Sequence, residues 1–178
     1  MPRGGSRSRL IGQSGVWAVA SQLGLRGHNC LFPTVDNGYD LMIENGLKLQ
    51  IKSRYLIGRD CKAYPHWMYS FDLRRSIWDS KLGRVKGFSS YSQIADFFVL
   101  WGIDENRFWI VPSSLDQSSV NIGSRLSNQN RGTQHDCRES KLRRMESMED
   151  RWDLLDVAES TRKLIESADL PDALEETL

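Results

Sequence analysis

Three side chains in the stretch YDLMIENGLKLQIKSR, Tyr39 to Arg54, have types and spacing that can do chemistry: the carboxylate of Asp40, the amide of Gln50 and the amine of Lys52. A carboxylate, an amide oxygen and a backbone carbonyl such as that of Ile51 are the hard oxygen donors that a divalent cation takes. A lysine beside them completes the parts for metal-assisted hydrolysis of a phosphodiester. That reaction needs a cation to neutralise charge on the phosphate and a positioned group to orient or deprotonate the attacking water. An ordinary hairpin with a solvated polar face would carry the same residues, so their meaning depends on the elements that position them.

Two apolar-alternating runs flank Glu44, Asn45 and Gly46, a strong local signal for a β-hairpin. A two-residue Asn45-Gly46 loop would mix polar and apolar side chains on both faces. A three-residue loop with Gly46 in the left-handed conformation pairs Ile43 with Leu47, Leu41 with Leu49 and Tyr39 with Ile51, giving one wholly apolar face. The other face then carries Met42 with Lys48, Asp40 opposite Gln50, and Lys52 two residues further on. The register therefore brings the three chemically able side chains together.

Asp40, nine residues, then Gln50-Ile51-Lys52 resembles the signature of the PD-(D/E)XK nucleases, in the variant where Gln replaces the second acid. The likeness is to the branch of small homing endonucleases and archaeal Holliday junction resolvases. It extends over about residues 10 to 115 in its order of parts: GQSGVWAVASQLGLRGHNCLFP from Gly12 to Pro33 before the hairpin, then WMYSF from Trp67, IADFFVLW from Ile94 and RFWIVP ending at Pro112. The resemblance implies a restriction-endonuclease-like α/β core and a Mg²⁺-dependent endodeoxyribonuclease in which Mn²⁺ can substitute. It assigns Asp40, Gln50 and the Ile51 carbonyl to the metal and Lys52 to catalysis. It also implies a homodimer or higher homo-oligomer, because relatives that cut both strands pair two sites, and gives Asp96 a structural part.

One position departs from the pattern. Relatives place a Glu on the first helix, and the Gly12-x-x-Gly15 spacing puts that position on Val16, which cannot ligate a metal. Gln13, one turn earlier, is the auxiliary candidate for an oxygen donor. With Asp40 as the one anionic ligand, metal affinity should be weak until substrate phosphate completes the shell. A catalytically inactive nucleic-acid-binding protein on the same fold is the alternative.

Composition sets the remaining bounds. At 178 residues and 39 % apolar, the chain has material for one domain with a sizeable core plus an extension. No apolar run approaches the roughly 20 residues that span a bilayer, and MPRGGSRSR has no apolar run behind it, so a cytoplasmic protein is expected. Cys30, Cys61 and Cys137 are widely spaced and odd in number, which argues against a disulfide framework and against zinc. The net charge of +1 conceals a division: residues 145 to 178 hold eleven acids against three bases, net −8, which leaves the rest at 21 bases against 12 acids, net +9. A basic body suits a polyanionic partner such as nucleic acid, and the resemblance implies duplex or branched DNA.

Along the chain, residues 1–9 are expected as a disordered basic tail, 10–115 as the nuclease-like core, 116–139 as a flexible loop and 140–178 as a helical extension. Val16, Val19, Ala20 and Leu23 recur at helical spacing and should lie on the sheet. Trp67, Tyr69, Phe71 and Leu73 alternate as a strand, and Ala95 to Trp101 reads as a strand covered on both faces. RRSIWDSKLGRVKG, Arg74 to Gly87, holds five bases against one acid, so Arg74, Arg75, Lys81, Arg84 and Lys86, with Arg54, are the expected DNA contacts, although a solvated loop would have the same composition.

Overall fold

The computed structural model describes residues 5–35, 37–61, 64–79, 83–115, 117–125 and 145–156. Helix α1 spans Gly5–Leu25, and the strands that follow are β1 (Cys30–Leu31), β2 (Leu41–Ile43), β3 (Lys48–Arg54), β4 (Ile57–Cys61), β5 (Tyr64–Asp72), β6 (Arg75–Asp79), β7 (Arg84–Ser89), β8 (Phe97–Gly102), β9 (Arg107–Pro112) and β10 (Ser119–Gly123). The central sheet has five strands in the order β1-β2-β3-β8-β9. It is mixed, because β3 and β8 run parallel while the other pairs are antiparallel. The fold is therefore α/β with a mixed central sheet. Among the described residues no helix is long and apolar enough to cross a membrane.

Alternation along the central strands builds two cores. One face of the sheet presents Leu41, Ile43, Leu49, Ile51, Val99 and Ile110, and α1 packs there through Val16, Val19 and Leu23. Ala20, expected on the same stripe, is partly buried against it. The opposite face presents Phe98, Leu100, Trp109 and Val111 to a second sheet, β10-β5-β4, which contributes Tyr69, Phe71, Val120 and Ile122. Strand β8 is covered on both faces, as its continuous apolar run implies.

The hairpin adopts the register that its apolar pattern selects. Leu41 pairs with Leu49 and Met42 with Lys48, Ile43 N–H donates to the Leu47 carbonyl at 3.0 Å, and Gly46 has φ 85°. A Cβ at that φ is strained, which is why the turn takes glycine. The pairing then ends at Leu41, so the expected Tyr39–Ile51 pair does not form. Asp40 N–H bonds the Leu49 carbonyl at 2.9 Å, and the Asp40 carboxylate takes the Ile51 N–H where a backbone carbonyl would have been.

Several elements differ from expectation for identifiable reasons. Helix α1 begins at Gly5, so Arg7 and Arg9, expected in a disordered tail, belong to its opening turns. Arginine is a good helix former, and the exposed turns need no packing partner. The aromatic strand exists as β5 but stands in the second sheet. Gly58-Arg59-Asp60 lies inside β4, where the Trp67 ring covers Gly58 from the paired strand. The basic segment 74–87 is a two-stranded ribbon, β6–β7, that pairs with no other described strand. Within the loop expected over 116–139, residues 119–123 form β10 on the edge of β5, and 126–139 lie outside the described residues.

The helical extension expected over 140–178 is interrupted where it is described. Residues 145–146 and 153–156 are helical turns separated by a β-bridge between Glu149 and Trp109 and by Asp150 at φ 52°. The Arg107 guanidinium explains the break: it reaches both Glu149 oxygens at 2.7 Å and draws that residue onto β9. Residues 141–144 and 157–178 lie outside the described residues.

Candidate active site

Gln50 and Lys52 project from β3 on the face opposite α1, at the margin that the second sheet leaves open. There the chain forms a cavity of about 360 Å³ lined by Asp40, Gln50, Lys52 and Tyr91, with Arg74, Arg75, Ser76 and Gly38 at its rim. The rim comes from the first residues of the ribbon folded back against the loop before β2. That approach requires Gly38: at its φ of 83° a Cβ would stand 2.9 Å from Ile94 and 3.3 Å from the Arg75 guanidinium.

Asp40 organises the floor. Its Oδ2 accepts the Ile51 N–H at 2.7 Å and the Gln50 Nε2–H at 2.5 Å. The amide thus turns its nitrogen to the carboxylate, whereas metal ligation would use its oxygen. The reason is local, since two oxygens at that distance repel and an N–H donates. A half-turn of the amide exchanges the two groups. Gln50 is 8 % exposed, so few other orientations are open to it.

Lys52 reaches over the same floor, its Nζ 3.5 Å from the Tyr91 hydroxyl and 4.9 Å from the centre of that ring. Burial pushes its ammonium below the ordinary lysine value; the nearby Asp40 charge opposes that shift and Arg54 adds to it. Among the described residues Lys52, Arg74 and Arg75 line the cavity against Asp40, and with Arg74 paired to Asp72 a small positive surplus is left that favours anions.

The donor set fits a small hard cation of the Mg²⁺ type. Such ions are held by one or two protein carboxylates, neutral oxygens and waters, with phosphate completing the shell. Asp40, the Gln50 amide and the Ile51 carbonyl, on the edge of β3 that β2 no longer pairs, are oxygens of that kind. Among the described residues no three His, Cys, Asp or Glu side chains converge.

The other expected residues are divided. Val16 is 9 % exposed and packed in the α1 core, and Gln13 is exposed; neither lines the cavity. Arg74 is held by Asp72 at 3.0 Å and stacks on Phe88 at 4.2 Å, while Arg75 is half-buried at the rim. Arg54 donates to the Ser70 carbonyl at 3.3 Å, tying β3 to β5. Arg84 and Lys86 are exposed on β7, and Lys81 lies outside the described residues. Asp96 has the expected structural part: its carboxylate accepts the Lys48 N–H at 2.7 Å and its own N–H bonds the Lys48 carbonyl, clamping the start of β3 to β8. Sequence reasoning missed Tyr91 and Gly38, which sit in short irregular segments where no periodicity marks them.

The fold of this chain is similar to that of a nuclease of solved structure. That structure is a bacterial homing endonuclease, I-Ssp6803I, which matches with a TM-score of 0.62 over 87 % of this chain and 97 % of its own, at 20 % identity. At that identity the likeness is one of fold. No family model matches the chain, and no curated protein matches it.

Proposed function

We propose that the chain is a Mg²⁺-dependent DNA endonuclease of the PD-(D/E)XK type, with Mn²⁺ able to substitute. The observation that carries this reading is the convergence of Asp40, Gln50 and Lys52 on the floor of one basic cavity. Asp40, the Gln50 amide and the Ile51 carbonyl would hold the cation, which when bound supplies charge neutralisation at the scissile phosphate and a more acidic water. Lys52 orients that water or stabilises charge developing on the phosphate oxygens. Arg75 and Arg74 receive the phosphate at the rim. Arg54, Arg84 and Lys86, with Lys81 by its place in the sequence, are the proposed contacts to the DNA backbone. Double-strand cleavage by one such site per chain calls for a homodimer or higher homo-oligomer.

The test is cleavage of a panel of duplex, four-way-junction and single-stranded DNA with MgCl₂ or MnCl₂, beside Lys52→Ala. Metal-dependent cleavage lost in that variant is the expected result, and equal activity of the two proteins would remove the reading. A catalytically inactive DNA-binding protein on this fold is favoured by one observation: α1 brings no acid to the cavity, because Val16 is in the core and Gln13 lies outside it. That reading expects retention of the panel DNA in a mobility-shift assay with no cleavage in either metal.

A further inference from the structure

We propose that the ribbon of β6 and β7 lies in the major groove of duplex DNA, with Ile77 and Val85 against the base edges and Arg84 and Lys86 at the flanking phosphates; this rests on the DNA-binding part of the reading above. Successive side chains of a strand point to opposite faces. Ser76 and Ile77 on β6, and Arg84, Val85 and Lys86 on β7, are all exposed, so both faces of the ribbon are uncovered. Neither edge pairs with another described strand. Ile77 is 45 % exposed and Val85 41 %, large aliphatic side chains on an element with no core of its own. A two-stranded ribbon by itself is marginal in water, so these side chains call for a partner that covers them.

Charge and shape select that partner. The described residues of the two strands carry Arg75, Arg84 and Lys86 against Asp79, a surplus that a polyanion complements. The major groove of B-DNA admits a two-stranded β-ribbon, and it displays the thymine methyl, which an aliphatic side chain can touch. The register shift after Ile77 leaves Lys86 as an extra residue on β7. Such a bulge bends the strand and increases its twist, which lets the ribbon follow a winding groove. The root is fixed at the cavity, because Arg75 and Ser76 line it. From Arg75 to Asp79 the strand climbs about 13 Å, close to the rise of roughly four base pairs. The bases read by the ribbon therefore lie within about four base pairs of the phosphate in the cavity.

The experiment selects bound sequences from a random duplex library with the full-length protein in EDTA, where cleavage does not intervene. The enriched pool is then remade in two forms: with uracil for thymine, which removes the methyl, and with glucosylated hydroxymethylcytosine, which fills the major groove. Mobility-shift titrations should show the parent losing about 10-fold or more in affinity for the glucosylated pool and a smaller, measurable factor for the uracil pool. Netropsin, which fills the minor groove, should leave binding unchanged. The double variant Ile77→Ser/Val85→Ser should bind the thymine and uracil pools equally. Lys86→Ala should weaken binding to every sequence alike, as a phosphate contact does. Unchanged parental affinity for either modified pool, displacement by netropsin, or a library that yields no enriched sequence would overturn the proposal. So would a double variant that keeps the parent's preferences but turns from dimer to monomer in light scattering, since a second copy would then cover the ribbon. Should the double variant fail to fold, the parent's response to the two modified pools decides. A parent that selects sequences but cleaves none in MgCl₂ or MnCl₂ defeats the hydrolase reading alone, whereas one that binds no DNA defeats both.

Discussion

The Asp40 Oδ2 atom receives a backbone N–H and a side-chain amide at once, so substitutions there act on both the edge of the sheet and the chemistry. Asp40→Asn keeps an oxygen for the Ile51 N–H and removes the charge. It should therefore fold and bind DNA while losing cleavage by about 10²-fold or more. Lys52→Met keeps the stem and removes the amine, and should lose cleavage to a similar degree with little change in affinity. Plasmid nicking and a mobility-shift titration on the same preparations check both expectations. This triad was legible in the sequence because strand geometry is strictly two-residue periodic, so a correct hairpin register fixes which side chains meet. The orientation of the Gln50 amide was not legible. It depends on where the chain turns away after Leu41, and spacing does not record that.

Single elements make sharper demands. Leu49 is fully buried between β2 and α1, and Leu49→Ala should cost on the order of 2 to 5 kcal/mol, read as a lowered midpoint in denaturant. Gly38→Ala should lower stability by about 1 kcal/mol or more through its positive φ and displace Arg75, weakening DNA retention along with stability. The bridge from β9 to residue 149 adds a pH dependence. Hydrogen bonds from Arg107 hold the Glu149 carboxyl below its ordinary value, so its contribution is fully present above the unfolded value of about 4.3 and is lost as pH falls through the lower folded one. The melting temperature should therefore drop below about pH 4. In Glu149→Gln that acid limb should flatten, on a protein already less stable by about 3 kcal/mol because the buried Arg107 has lost a partner.

The elements read from sequence, α1, the hairpin, β5 and β8, are those whose apolar pattern is local. Strand β10 has only Val120 and Ile122 to mark it, and β4 carries a glycine that Trp67 covers from the neighbouring strand. Both are strands because β5 lies between them, a tertiary cause with no local trace. The 145–156 segment shows the same effect in reverse, since a periodic helical pattern yields to an arginine brought from β9.

For the whole molecule the division of charge is the governing quantity. A body of net +9 binding phosphates should lose affinity steeply with salt, the logarithm of the association constant falling linearly with the logarithm of salt concentration. Truncation after Leu170 removes acids and should leave affinity unchanged or raise it. A salt-insensitive titration would exclude phosphate contacts as the source of binding.

The parallel pairing of β3 with β8 has a consequence for how such a protein can change its target. The chain leaves the central sheet at Arg54 and re-enters it beside the same strand at Phe97, so β4, β5 and the basic ribbon form one excursion hung between two fixed posts. Asp96 latches the return post to Lys48, at the start of the strand that carries Gln50 and Lys52. On the proposed hydrolase reading, the described outer parts of β6 and β7, Ile77–Asp79 and Arg84–Gly87, are then the place to vary while Arg74, Arg75 and the posts stay in place. A library varied over those parts alone should yield proteins that keep the cleavage chemistry and differ in the DNA they retain.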